Sequence, residues 1–249
     1  MHIPTADQLL GLDDAHVSIL DPAASLGEVS LHPGAAEAFL ELRQQAWQAG
    51  LDLRVVSGFR SFERQLWIWN AKARGERVLL DDDERELDAL SLSPESLMLA
   101  ILRWSALPGA SRHHWGSDFD IVDAAALGPG DRPSLCVAEY VEGGVFAALG
   151  RWLDERVDAD PGSCFFRPYD GTGSGVAHEP WHLSYAPLSV LCQARMDAGG
   201  LRSVLAASGL ELWNTVDAEL EHLLQRFAVT DARRYPPPWR HLVNGSRLG

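Results

Sequence analysis

The chain has 249 residues, enough for one large domain with a sizeable buried core. Its formal charge of −14 argues against nucleic acid or an anionic membrane surface as partner, because neither attracts such a surface. Cys136, Cys164 and Cys192 are too few and too scattered for a disulfide framework or a Cys-x-x-Cys zinc site, and an odd count suits a reducing compartment.

Met1 to Asp7 lacks the basic stretch and apolar run of a signal peptide, and nowhere do about 18 apolar residues run uninterrupted. The expectation is a cytoplasmic protein with no membrane span. Leu9 to Leu12 and Val17 to Leu20 are apolar patches, read as an arm packed on the domain. From Ala35 to Ala49 the pattern is helical, with Ala38, Phe39, Leu42, Ala46 and Trp47 at three- and four-residue spacing and Gly50 as the stop. Leu51 to Val56 alternates Leu51, Leu53 and Val55 against Asp52 and Arg54, the period of a half-buried strand.

Ser57-Gly58-Phe59-Arg60 is a turn that leads into a helix over about 62–74, with Ser61 as its N-cap and Gly75 at its end. Residues 80–93 contain the run Asp81-Asp82-Asp83-Glu84 and are expected to form a solvated loop, since the ligand spacing of a calcium loop is missing. Ser93-Pro94 opens a further helix to about Ala106, and Pro108-Gly109 break it. Asp118 to Val122 reads as extended, residues 124–135 as a loop, and Val145 to Val157 as helix. Cys164 to Phe166 starts a short strand. Asp170 to Gly175 is a glycine-rich loop without the Gly-Lys-Ser/Thr of a phosphate loop. Trp181 to Tyr185 reads as a strand, with Trp181 and Leu183 opposing His182 and Ser184. Helical segments over about 187–207 and 214–227 precede an irregular tail from Tyr235. The expected architecture is one α+β domain over 1–249, with a catalytic core over about 35–187 and a helical C-terminal extension over about 188–249.

Two segments carry the chemistry. Ser111 to Asp120 holds a histidine and an aspartate seven residues apart, His113 and Asp120. Glu179-Pro180-Trp181-His182 adds a second imidazole and another carboxylate. A catalytic zinc site needs three protein ligands and one open position. His113, Asp120 and His182 supply those ligands, and Glu179, three residues before His182, can serve as general base. Arg60, at the end of a strand, can stabilise the oxyanion of amide hydrolysis or hold a substrate carboxylate. Taken singly, each pair is common by chance; their combination at strand edges and turns indicates a metal hydrolase. Asp118 would share a strand face with Asp120 and is either a competing ligand or the partner of a liganding imidazole. His114 and His178 are further competitors.

Ser-x-His-x-x-Gly-x-x-x-Asp over 111–120, Glu-Pro-Trp-His over 179–182 and Ser-Gly-Phe-Arg-Ser-x-x-x-Gln over 57–65 together resemble the D-alanyl-D-alanine metallopeptidases, including the VanY-type carboxypeptidases. The resemblance covers about residues 50–187. It implies a small antiparallel sheet flanked by helices, zinc on His113, Asp120 and His182, Glu179 as base and Arg60 at the oxyanion or substrate. It also implies substrate contacts from Gln65 and Ser111. Asp118 departs from the pattern, which usually has a small residue there. The implied activity is a D,D-carboxypeptidase or dipeptidase acting on peptidoglycan stem peptides or muropeptides. The alternatives are an endopeptidase cutting within the stem and a zinc-stabilised binding module, the last disfavoured by the presence of Glu179 and Arg60.

Overall fold

The computed structural model describes residues 2–172 and 175–243, so Gly173 and Ser174 of the glycine-rich loop and the last six residues of the tail lie outside the described part. Helix α1 (Pro33–Gln48) begins with proline in its first turn, and the His32 ring caps it by accepting from Gly34 N at 3.1 Å. Ala35, Phe39, Leu42 and Ala46 fall on one face of it and are buried. Strand β1 (Leu53–Ser57) follows, then helix α2 (Phe62–Ala73), capped by Ser61 Oγ accepting from Arg64 N at 3.2 Å. Helix α3 (Pro94–Trp104) is capped in the same way by Ser93. Strand β2 (Asp118–Asp123), helix α4 (Ala147–Leu153) and strands β3 (Phe165–Phe166) and β4 (His182–Tyr185) complete the core.

The four strands form one antiparallel sheet in the order β1-β2-β4-β3. β2 is a central strand and all six of its residues are buried. Its pleat sends Phe119 and Ile121 into a core shared with Phe39 of α1, Leu53 and Val55 of β1, Leu149 of α4 and Leu183 of β4. Burial of each such side chain contributes roughly 1.5–3 kcal/mol. The same alternation gives Asp118 and Asp120 the opposite face. Asp120 pairs with Ser57 on one side and with His182 on the other, so the sheet register itself brings the two sequence motifs together.

A second core lies between α2, α3 and the C-terminal helices. Phe62 and Trp69 of α2 and Ile101 of α3 pack with Leu205, Val216 and Leu220. Trp69 Nε1 also donates to Glu211 O at 2.9 Å. The C-terminal helices therefore cover the flank of the helices that follow the first motif.

Three expectations need correction. Residues 80–93 are not a plain loop: Leu79–Leu80 pairs with Glu86–Leu87, and Trp104 Nε1 donates to Asp81 O, which ties the acidic turn to α3. The helix expected over 187–207 is two, α5 (Ala186–Gln193) and α6 (Ala198–Ala207), because the Asp197 side chain accepts from Gly199 N and Gly200 N and starts a new helix there. The segment over 214–227 is likewise divided, into α7 (Trp213–Ala218) and α8 (Leu220–Leu223), the latter running on as a π turn over Leu224–Ala228. The N-terminal arm does pack on the domain, and its strand Ser18–Ile19 pairs with Ser30–Leu31.

Candidate metal centre and active-site cleft

The turn after β1 and the 3-10 segment Arg112–Trp115 before β2 lie against each other: Arg60 N donates to His113 O at 3.3 Å, and His113 Nδ1 donates to Gly58 O at 2.8 Å. On its other side the turn presses on the N-terminal hairpin, which requires glycine at 58: a Cβ there would stand 2.6 Å from Val29 Cγ1 and 2.7 Å from Ser30 O. With Nδ1 carrying the proton, His113 Nε2 is left as a lone-pair donor, 3.7 Å from Asp120 Oδ2. On β4, His182 Nε2 donates to Asp118 Oδ1 at 3.1 Å while Nδ1 faces Asp120 Oδ1 at 3.2 Å. Each imidazole is thus fixed from behind and presents its other nitrogen to Asp120.

His113, Asp120 and His182 each offer one ligand atom within 4.8 Å of the others, and all three residues are buried. Asp120 Oδ1 is buried without a hydrogen-bond partner. A buried carboxylate with one orphaned oxygen toward His182 and the other oxygen toward His113 is the environment that a cation would satisfy, so the donor set fits a divalent metal. Electrostatics agree. Burial pushes His113 down to about 4, with Asp120 opposing, so its ring is neutral. Burial also opposes charge on His182, but its hydrogen bond to Asp118 and the charge of the nearby Asp120 carboxylate outweigh it and raise this ring to about 9 in the metal-free protein. A metal would take the place of that proton.

The roles of the two aspartates separate here. Asp120 faces both imidazoles. Asp118 sits behind His182 and is itself held by Arg112 Nε at 2.8 Å and Ser117 Oγ at 2.5 Å. Although burial opposes ionisation, the Arg112 guanidinium keeps the Asp118 carboxyl far below the usual range.

Glu179 Oε2 lies 3.6 Å from His182 Nδ1. Burial raises its carboxyl to about 7, against the pull of His182. That is the poise of a group that takes and returns protons near neutral pH. Arg60 is half-buried beside Asp120 and Glu179, and its guanidinium is set by Gln65 Oε1 at 2.7 Å and Ser57 Oγ at 3.3 Å. These groups line a cleft of about 710 Å³, with Ser111, Lys72, Arg77 and Tyr169 on its walls. Lys72 is depressed to about 8 by burial and the nearby Arg77.

Of the remaining expected residues, Ser111 reaches the cleft. Gln65 is placed differently from the expected substrate contact. It is fully buried, with Oε1 bonded to Arg60 and Nε2 donating to Ala106 O at 2.7 Å, so it braces the arginine from behind. His114 also stands apart from the metal group: Nδ1 donates to Arg60 O at 2.6 Å and Nε2 accepts from Gly109 N at 3.0 Å, leaving no free nitrogen. His178 bridges to Asp170 and lies outside the group. Sequence reasoning did not single out Arg112, whose signal was the need of a buried Asp118 for a cation.

The buried His/Asp/His group on this α+β sheet, beside a carboxylate and an arginine, is a candidate metal centre with the parts that peptide hydrolysis needs. A family model for VanY, D-alanyl-D-alanine carboxypeptidase, matches residues 28–188, and the chain belongs to that family of peptidases. The match starts earlier than the motifs suggested and takes in α1. Two uncharacterized proteins of Haemophilus influenzae are similar to it. One is 41% identical over 103 residues, covering 41% of this chain and 70% of the relative. The other is 40% identical over 125 residues, covering 49% and 93%. Among solved structures, the LdcB LD-carboxypeptidase shares the fold at 23% identity and a TM-score of 0.50, covering 70% of this chain and 69% of that one. VanYB in complex with D-alanine-D-alanine aligns over 83% of this chain and 91% of its own, at 20% identity and a TM-score of 0.49. No helix among the described residues is long and apolar enough to cross a membrane.

Proposed function

We propose that this protein is a zinc-dependent D,D-carboxypeptidase that removes the C-terminal D-alanine from peptidoglycan stem peptides. The observation that carries the reading is the convergence of the three-donor group and the poised Glu179 on one cleft. His113, Asp120 and His182 would hold the metal, which supplies Lewis acidity and lowers the pKa of water when bound. Two imidazoles and one carboxylate suit zinc. Glu179, as carboxylate, takes a proton from the attacking water and returns it to the leaving amine. Arg60, held rigid by Gln65 and Ser57, stabilises the negative charge on the scissile carbonyl oxygen. Lys72 and Arg77 make the cleft wall positive within an acidic molecule, which favours a peptide ending in a free carboxylate.

Product analysis tests the reading. Zinc-loaded protein incubated with pentapeptide stems is expected to release D-alanine and leave the tetrapeptide. Release from the tetrapeptide instead would assign L,D-specificity, and cleavage inside the stem would assign an endopeptidase. No turnover of any stem by metallated protein refutes the enzyme.

A further inference from the structure

The family match ends at residue 188, yet the chain continues through α5 to α8 and a Pro-rich tail. We infer that this C-terminal extension is a working part of the metal centre: Gln193, Thr230 and Tyr235 fix Arg112, and through Arg112 and Asp118 they set the position of His182. The inference rests on the assignment of His182 as a metal ligand.

Arg112 is almost fully buried, 1% exposed, and its three nitrogens divide their work. Nε donates to Asp118 Oδ1, the oxygen that also accepts from His182 Nε2. Nη2 donates to Ser184 Oγ at 2.7 Å, on the same strand as His182, and that hydroxyl donates onward to Ser189 Oγ at 2.9 Å. Nη1 has three acceptors, Gln193 Oε1 at 3.4 Å, Thr230 Oγ1 at 3.2 Å and the Tyr235 hydroxyl at 3.4 Å. All three lie beyond the family match. They also hold one another: Gln193 Nε2 donates to Thr230 O at 3.0 Å, Thr230 N donates to Gln193 Oε1 at 2.9 Å, and the Tyr235 hydroxyl donates to the same oxygen at 3.1 Å. The Tyr235 ring packs on Phe166 of β3 at 4.5 Å, and the Arg112 guanidinium lies over the Trp115 ring at 4.8 Å.

A buried guanidinium has five donors and no alternative solvent, so its orientation follows the acceptors around it. The Asp118 carboxylate faces Arg112 on one side and His182 on the other. A turn of the guanidinium therefore moves the oxygen that fixes the aim of His182 Nδ1 toward Asp120. Residues behind a liganding imidazole of this kind typically change metal affinity by about 10–100-fold when altered. Gln193, Thr230 and Tyr235 are positioning residues; none touches the cleft.

The test uses the full chain carrying Thr230→Val and Tyr235→Phe together, which remove two of the three acceptors with little change of shape. Zinc affinity by chelator competition and the visible spectrum of the cobalt-loaded protein are measured. Arg202→Gln, which breaks the ion pairs of α6 with Asp217 and Glu221, serves as the control for general loosening of the extension. The expected result is zinc affinity lowered about tenfold and a changed cobalt spectrum in the double variant, with the control like wild type. Wild-type affinity and spectrum in a folded double variant would overturn the inference, as would an equal loss in the control. If wild type itself binds no metal, the ligand assignment fails instead, which keeps the two ideas separable.

Discussion

In the proposed mechanism Glu179 is the residue on which the chemistry turns. A base works only in its ionised form, and burial raises this carboxyl to about 7. Turnover is therefore expected to rise with pH as this carboxyl ionises, with the midpoint of the metal-loaded protein below about 7 because a neighbouring cation favours the carboxylate. In Glu179→Gln this rising limb should vanish along with about 10²–10⁴-fold of the rate, in a kcat profile measured from pH 5 to 9. Asp118→Asn tests the support of His182: it keeps the shape and removes the charge that Arg112 and His182 share. The variant should bind zinc about 10–100-fold more weakly, by chelator competition, while Glu179→Gln keeps wild-type affinity. At this scale the grouping of His113, Asp120 and His182 beside Glu179 was legible because side-chain type and spacing pointed to it. Gln65 and Arg112 were not. Whether a polar side chain meets a ligand or braces another residue depends on what stands behind it, and Ala106 and Tyr235 come from distant parts of the chain.

Among the elements, the turn Ser57–Arg60 has the most to hold in place. It ends β1 at a register shift between Val55 and Ser57, gives Gly58 O to His113 and aims Arg60 at the cleft. Gly58→Ala forces a methyl against Val29 and the Ser30 carbonyl, so the turn or the N-terminal hairpin has to shift. A loss of about 1–3 kcal/mol is expected in urea unfolding, together with weaker metal binding. Helix α1 and strand β1 followed from periodicity, because each has one face in the hydrophobic core. The breaks in the C-terminal helices did not. Their residues are apolar on more than one side, since they pack both on α2 and α3 and on each other, and only the Asp197 cap marked a new start. The hairpin at 79–87 was hidden because its strands are two residues each.

For the whole molecule, the candidate metal centre and the fold are one system. The metal-free protein holds a proton on His182, raised to about 9 by Asp118 and Asp120 against burial. The sign follows from linkage: a raised histidine stabilises the metal-free fold fully below its unfolded value, about 6.5, and that contribution is lost as pH rises through about 9. Zinc binding at pH 7 should accordingly release about one proton, seen in a weakly buffered titration. Because the three donors come from the 3-10 segment, β2 and β4, a metal bound only by the folded chain should also raise the melting temperature, and a chelator should reverse it. The most direct measurement is D-alanine release from a pentapeptide stem by wild type and Glu179→Gln, each loaded with stoichiometric zinc. Rapid release by wild type and near-complete loss in the variant is the predicted result. Equal release by both proteins, or none by either, would contradict the account.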